Sequence, residues 1–237
     1  MNLVGKILQL ARYPVKSMRG ESLAATTLTL QGVPEDRRYA FVQASSRSDF
    51  PWLTARQFPD LLRYRPTVET ERSGGVVVMV TSPEGEKLPI DSDELRRQIE
   101  ARSGRGLFLL HDGRGSYDAA PISLISRQTV ARIAEESDTE ANPWRFRPNL
   151  LVDLHHGGAF RELDWVGRIL RIGETARVAI TEADQRCIMI TLDPENVESS
   201  PSVLRCVVQQ HEKCAGVYGT VLTAGEVRLG DSVWLEM

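Results

Sequence analysis

The chain of 237 residues has only three cysteines, Cys187, Cys206 and Cys214. The number is odd and contains no CxxC pair, so neither a disulfide framework nor a zinc knuckle is supported, and reduced thiols are expected. Apolar stretches of membrane-spanning length, ~20 residues, are lacking. The N-terminal run MNLVGKILQLARYPVKS, broken by Lys6, Gln9 and Arg12, is too short and too interrupted for a signal peptide. No membrane partner is therefore expected, and the cytoplasm is the expected location. A dominant charge is missing as well. Basic residues number 29 and acidic ones 32, and a net charge of -3 draws in neither nucleic acid nor an anionic membrane. Any anion has to be held locally. There is no internal repeat, low-complexity segment or long linker, so a domain boundary is expected near the helix that begins after Ile90.

What is present is a core: 41% of the residues are hydrophobic, enough for one large domain or two small ones. The N-terminal part reads as β structure. Strands are expected over Val4 to Leu10, Leu23 to Leu30 and Tyr39 to Val42, and a hairpin joins Gly75 to Val80 with Lys87 to Ile90 through Ser82-Pro83-Glu84-Gly85. Asp91 to Arg102 carries Leu95 and Ile99 at helical spacing, with Asp91 or Ser92 as cap. Two more amphipathic helices are expected over Ser126 to Glu136 and from Pro201 through Val208. Further strands are expected at Leu150 to Leu154, Ile169 to Ile172, Arg177 to Glu182, Ile188 to Leu192, Val217 to Leu222 and Val233 to Leu235. So many short strands favour a barrel over a parallel sheet, with the helices covering it.

Residues suited to an anionic ligand recur. Tyr13-Pro14-Val15-Lys16-Ser17 sets a cation and a hydroxyl after a proline-fixed bend, where backbone amides can also converge on an oxyanion. A solvated lysine in a turn is the competing reading. In Glu35-Asp36-Arg37-Arg38-Tyr39, alternation sends the two arginines to opposite sides, so only one can serve a site, and an ion pair with Asp36 or Glu35 competes. Arg56 stands in a loop framed by aromatics. In Arg145-Phe146-Arg147-Pro148-Asn149 the proline biases Arg147 toward extended backbone. Arg147 and Asn149 need partners, either a phosphate or heterocycle, or a carboxylate such as Asp153 or Asp164. Cys187 follows Arg186, a neighbour that favours the thiolate, whereas an inert core thiol is the competing reading. His211 and Cys214 have ligand-like spacing without a second pair, which argues against zinc, and His155-His156 reads as a polar turn.

Taken together, YPVKS, EDRRYAFV, LTARQFPDL, RFRPNLLVD, RCIMITLDPE, GVYG and VRLGDSV resemble the MOSC proteins, named for the C-terminal domain of molybdenum-cofactor sulfurase. The resemblance spans nearly the whole chain. It implies a mainly β fold with α, an α+β protein. Residues 1–95 are expected to form a smaller N-terminal β-barrel-like domain, and residues 96–237 a MOSC β-barrel core with covering helices, as in bacterial and mitochondrial amidoxime-reducing enzymes.

The same resemblance implies a molybdenum cofactor of the molybdopterin type lying between the two domains. Cys187 matches the cysteine that binds the metal and is the expected catalytic residue. Lys16, Ser17 and Arg37 match residues that bind phosphate and pterin, Arg147 and Asn149 match the Arg-Pro-Asn string, and Ser126 matches a hydroxyl position beyond Pro121. The implied activity is reduction of small N-hydroxylated compounds. No cysteine cluster for an iron-sulfur centre is present, so a separate electron-donor protein is expected. Asp164 is the only suggested proton donor. The alternatives are a non-catalytic carrier of the cofactor, or of persulfide sulfur on Cys187, and a binding module with an inert thiol.

Overall fold

The computed structural model describes residues 1–71 and 74–236. Fifteen strands and three α-helices lie along these residues. The strands are β1 (Asn2–Arg12), β2 (Glu21–Leu23), β3 (Ala25–Leu28), β4 (Tyr39–Gln43), β5 (Arg65–Thr70), β6 (Val76–Thr81), β7 (Lys87–Pro89), β8 (Leu107–His111), β9 (Ile122–Ser126), β10 (Leu150–Leu154), β11 (Ile169–Ile172), β12 (Ala176–Gln185), β13 (Cys214–Thr223), β14 (Gly225–Arg228) and β15 (Ser232–Leu235). The helices are α1 (Asp93–Ser103), α2 (Arg127–Ser137) and α3 (Pro201–Gln210).

Seven strands close a barrel in the order β1-β10-β9-β13-β12-β11-β15, since β1 pairs with both β10 and β15. All its pairings are antiparallel except β9 with β10. Closure leaves no exposed edge. Alternate side chains fill the interior, among them Ile7, Leu124, Val152, Leu170, Val178, Val217 and Val233. The chain's first strand is thus a stave of a barrel otherwise built from residues after Pro121.

After β1 the chain crosses into a second module, made of the β4–β8 pair, the β5-β6-β7 meander and α1. Its core includes Val15, Met18, Phe41, Leu61, Tyr64, Val80, Leu95 and Ile99. Ser92 caps α1 by accepting from the Leu95 N–H at 3.3 Å, and Gly104 ends the helix in the left-handed conformation. A third cluster lies between α2, α3 and the barrel wall, with Val130, Ile133, Phe146, Leu151, Ile190, Val203 and Val207.

The mainly β architecture, the meander hairpin and all three helices stand where the sequence places them. Strands β5, β8, β9 and β14 are not among those expected, and two of the expected segments differ. Leu23 to Leu30 is two short strands in different sheets, β2 on β1 and β3 on β14. Ile188–Thr191, expected as a strand, is a 3-10 helix. Its apolar residues face different cores: Ile190 packs under α3, Met189 and Leu192 pack in the second module, and Ile188 is exposed. The run is apolar because it wedges between two cores, and neither strand nor helix periodicity describes that.

Candidate functional site

A cavity of about 490 Å3 lies where the barrel meets the second module. The β1 crossover supplies its first residues. Val15 bridges to Tyr39, and the Lys16 N–H donates to the Tyr39 carbonyl at 2.8 Å, so Lys16 and Ser17 sit at the seam. Arg37 follows from the turn before β4, its N–H donating to the Tyr13 carbonyl at 2.7 Å. Arg147 joins a 3-10 helix (Pro143–Phe146) to β10, and Cys187 lies just beyond the end of β12. Lys16, Ser17, Arg37, Arg147 and Cys187 all line this one cavity.

Three of these five have a left-handed backbone: Ser17 at φ 65°, Arg37 at φ 53° and Arg147 at φ 53°. Such non-glycine residues carry strain, roughly 1–3 kcal/mol each, and concentrate where function requires it. Arg147 is the reverse of the extended backbone expected before Pro148. It caps the preceding 3-10 helix, its N–H bonded to the Trp144 carbonyl at 3.2 Å, and its Nη1 donates to the Met18 carbonyl at 2.6 Å.

The guanidinium groups of Arg37 and Arg147 lie 4.8 and 4.3 Å from the centre of the Tyr13 ring. Burial works against charge on Arg37, but the paired Asp36 carboxylate offsets it and raises its pKa. Arg147 has no ion-pair partner among the described residues. Burial, followed by repulsion from Arg37, lowers its pKa to about 10. Lys16 donates to the Ser116 carbonyl and to Asp118, both at 2.8 Å, and its ammonium stands 4.9 Å from the Trp52 ring. Burial lowers its pKa, with Asp118 opposing.

Six cationic side chains line the cavity, Lys16, Arg37, Arg56, Arg145, Arg147 and Arg186, against three acidic ones, Asp118, Glu182 and Asp184. The local charge is positive although the chain is net negative, which is the condition for holding an anion here. Thr54 Oγ1 and Arg145 Nε, both on lining residues, are buried without a hydrogen-bond partner among the described residues. Buried polar atoms of this kind call for a ligand or water.

Cys187 is exposed. Arg186 turns its guanidinium inward, 2.9 Å from Asp184, with Nε donating to the Ala215 carbonyl at 2.7 Å and Nη1 to the Phe146 carbonyl at 2.8 Å. Arg145 braces the segment that follows Cys187, donating to the Thr191 carbonyl at 3.0 Å and to Asp193 at 2.8 Å.

Two expected ligands do not line the cavity. The Asn149 amide is occupied beneath it: Nδ2 donates to the Ala11 carbonyl at 3.2 Å, while Oδ1 accepts from the Ser123 N–H at 3.1 Å and from Arg37 at 3.4 Å. Ser126 is fully buried and caps α2, accepting from the Thr129 N–H at 3.0 Å. The suggested carboxylate partners are elsewhere too. Asp153 pairs with Arg127, and Asp164 pairs with Arg161 beside a different pocket at the barrel wall. Asp164 is thus no proton donor to this cavity. Of the two adjacent arginines Arg37 alone lines it, because Arg38 donates to Gly113 and Gln31.

Sequence reading missed Asp118, Ser123, Asp184 and Tyr218, all of which line the cavity. No local pattern marks them. Asp184 is buried, and desolvation, opposed by Arg186, pushes its carboxyl up to about 6. Ser123 Oγ donates to it at 3.3 Å.

Fold and site together define a barrel protein with a cationic cavity, shared with a smaller module, that ends at an exposed cysteine. The chain belongs to the MOSC family: the MOSC domain profile matches residues 111–234, and that of the MOSC N-terminal beta barrel domain matches residues 4–120. It is 26% identical to a molybdenum cofactor sulfurase of Drosophila willistoni over 93% of this chain, spanning only 32% of that protein. It is 24% identical to mitochondrial amidoxime reducing component 2 of Rattus norvegicus, covering 98% of this chain and 83% of the relative. The crystal structure of the YUAD protein from Bacillus subtilis shares the fold at a TM-score of 0.54 and 14% identity, over 99% of this chain and 97% of that one. No helix among the described residues is long and apolar enough to cross a membrane.

Proposed function

We propose that the protein is a molybdenum-cofactor-dependent oxidoreductase that reduces N-hydroxylated compounds such as amidoximes, hydroxamic acids and N-hydroxylated bases. The observation that carries this reading is the convergence of Cys187 with Lys16, Ser17, Arg37 and Arg147 on one positively charged cavity. The donor set suits the cofactor. Guanidinium and ammonium groups with a hydroxyl match a phosphate and a pterin, a thiol matches a sulfur-bound metal, and the partnerless Thr54 Oγ1 and Arg145 Nε offer further polar contacts. Bound there, the molybdopterin-type group supplies two-electron removal of oxygen from the N–O bond.

The chain's own residues have separable tasks in this reading. Arg37 and Arg147 hold the anionic part, and Tyr13 fixes both guanidinium planes from below. Asn149 acts through Arg37 and Ser123 as a positioning residue. Asp184, its carboxyl raised to about 6, takes up and gives a proton inside the cavity near that pH, with Ser123 orienting it. Electrons come from a separate donor protein, and the compartment is the cytoplasm.

A carrier of the cofactor, or of sulfur as a Cys187 persulfide, is the second reading. The exposure of Cys187 favours it, since a partner can reach the thiol. Metal analysis and turnover separate the two. Purified protein is expected to hold near-stoichiometric molybdenum, to lose it in Cys187→Ala, and to reduce benzamidoxime with an artificial electron donor. Molybdenum without turnover indicates the cofactor carrier, a Cys187 persulfide without molybdenum indicates sulfur transfer, and neither leaves a binding module.

A further inference from the structure

Away from the cavity, α2 and α3 bring together three side chains that the proposed reaction does not use. Glu136, in the last turn of α2, directs Oε2 at α3. There Cys206 Sγ donates to it at 3.3 Å and His211 Nε2 pairs with it at 2.5 Å. The other carboxylate oxygen, Oε1, lies 3.8 Å from Arg132 Nη1, so the two oxygens face different partners. The His211 ring stacks on Phe160, with centroids 3.9 Å apart and planes 22° apart, which fixes the ring with Nε2 toward Glu136. Cys206 is buried, while Glu136 and His211 keep 19% and 16% of their side chains exposed. The group is closed on the protein side and open to water on the other.

The donor atoms of all three residues lie within 4.8 Å of one another. We propose that Glu136, Cys206 and His211 form a site for a single zinc ion, with water as fourth ligand. The donor chemistry selects the metal: sulfur and imidazole together suit zinc, whereas magnesium and calcium require oxygen ligands throughout. The geometry is close to what the ion needs. Tetrahedral donors about 2.0–2.3 Å from zinc stand roughly 3.3–3.7 Å apart. The Cys206–Glu136 separation of 3.3 Å already meets this, the His211–Glu136 separation of 2.5 Å falls short of it by about 1 Å, and Cys206 and His211 stand within 4.8 Å of each other. A Glu136–His211 ion pair accounts for two of the residues. It leaves unexplained why a buried cysteine, which packs as a small apolar group, meets the same carboxylate oxygen.

The pairing is not the one sequence spacing suggests. Cys214, three residues from His211, turns its Sγ to the Glu212 carbonyl at 3.4 Å. The third ligand comes instead from α2, distant in sequence. An ion there clamps the ends of α2 and α3, and α3 packs through Val203 and Val207 on Ile190, three residues past Cys187. The inference does not rest on the proposed reaction.

Its test uses the full chain, dialysed against chelator and titrated with zinc chloride, and then with cobalt chloride as a spectroscopic probe. Calorimetry is expected to show one zinc ion per chain, and cobalt is expected to give a thiolate charge-transfer band. Cys206→Ser abolishes that band, while Cys187→Ser and Cys214→Ser retain it. His211→Gln and Glu136→Gln weaken zinc binding by roughly ten-fold or more. Circular dichroism checks the fold of each variant. His211→Gln lies nearer the surface and carries the test if Cys206→Ser does not fold. Absence of stoichiometric zinc binding by the parent protein overturns the proposal, as does a cobalt band that survives Cys206→Ser or disappears only with Cys187→Ser.

Discussion

Arg37 Nη2 donates to the backbone carbonyl of Arg147 at 3.0 Å, tying together two left-handed residues 110 positions apart in the chain. Neither conformation is favoured locally, so each persists because the other, with the Tyr13 ring, holds it in place. The arrangement crowds two positive charges, and that crowding makes a binding site for an anion.

Replacing Arg147 therefore separates stability from binding. In Arg147→Ala, loss of the Met18 hydrogen bond is offset by relief of repulsion from Arg37, so ligand-free stability changes by less than about 1 kcal/mol. Arg147→Gly removes the left-handed strain as well and melts higher than the alanine variant. Both are expected to lower cofactor retention roughly ten-fold or more. Retention equal to that of the parent in both removes Arg147 from the site.

The raised Asp184 carboxyl makes a pH prediction with a definite sign. The folded state holds this proton up to about pH 6, whereas an ordinary aspartate releases it near 3.8. Between those values the folded protein binds the extra proton, so this contribution to stability is complete below about pH 4 and is lost as pH rises through 6. It amounts to something on the order of 2–3 kcal/mol. Comparing denaturant midpoints of parent and Asp184→Asn across pH 4 to 7 isolates it, and parallel curves would count against the raised value. If Asp184 delivers the proton, turnover of the parent is expected to fall above about pH 6, and the same variant is expected to lose that fall.

Ser126 offers a test between capping and binding. Ser126→Ala removes the cap of α2 and is expected to cost about 1 kcal/mol while leaving cofactor retention unchanged. A loss of retention as large as that in Arg147→Ala would assign the hydroxyl to the ligand instead.

Gly216 is the close approach on which Arg186 depends. Its φ is 81°, and an added Cβ would stand 2.6 Å from the Leu124 carbonyl oxygen and 3.0 Å from Arg186 Nη2. Thermal melting of Gly216→Ala should report a loss of more than about 2 kcal/mol, because a backbone atom cannot yield and the buried Arg186–Asp184 pair is displaced. A melting temperature equal to that of the parent contradicts this packing.

Much was readable without coordinates where the determinant is local. The turn chemistry of Ser82 to Gly85, the Ser92 cap and the apolar face of α2 act over a few residues, so the sequence alone determined those elements. It likewise determined which residue types could hold an anion, and Lys16, Ser17, Arg37, Arg147 and Cys187 do meet at one cavity. The tertiary structure alone decided what depends on contacts between distant residues. Closure of the barrel by β1, the wedge at Ile190 and the backbone of Arg147 are set by packing against distant segments, which overrides local propensity. The same holds for Asp184, an unmarked aspartate in a strand until burial beside Arg186 and Ser123 changed its proton affinity. Desolvation belongs to the folded interior, and no spacing of residues along the chain encodes it.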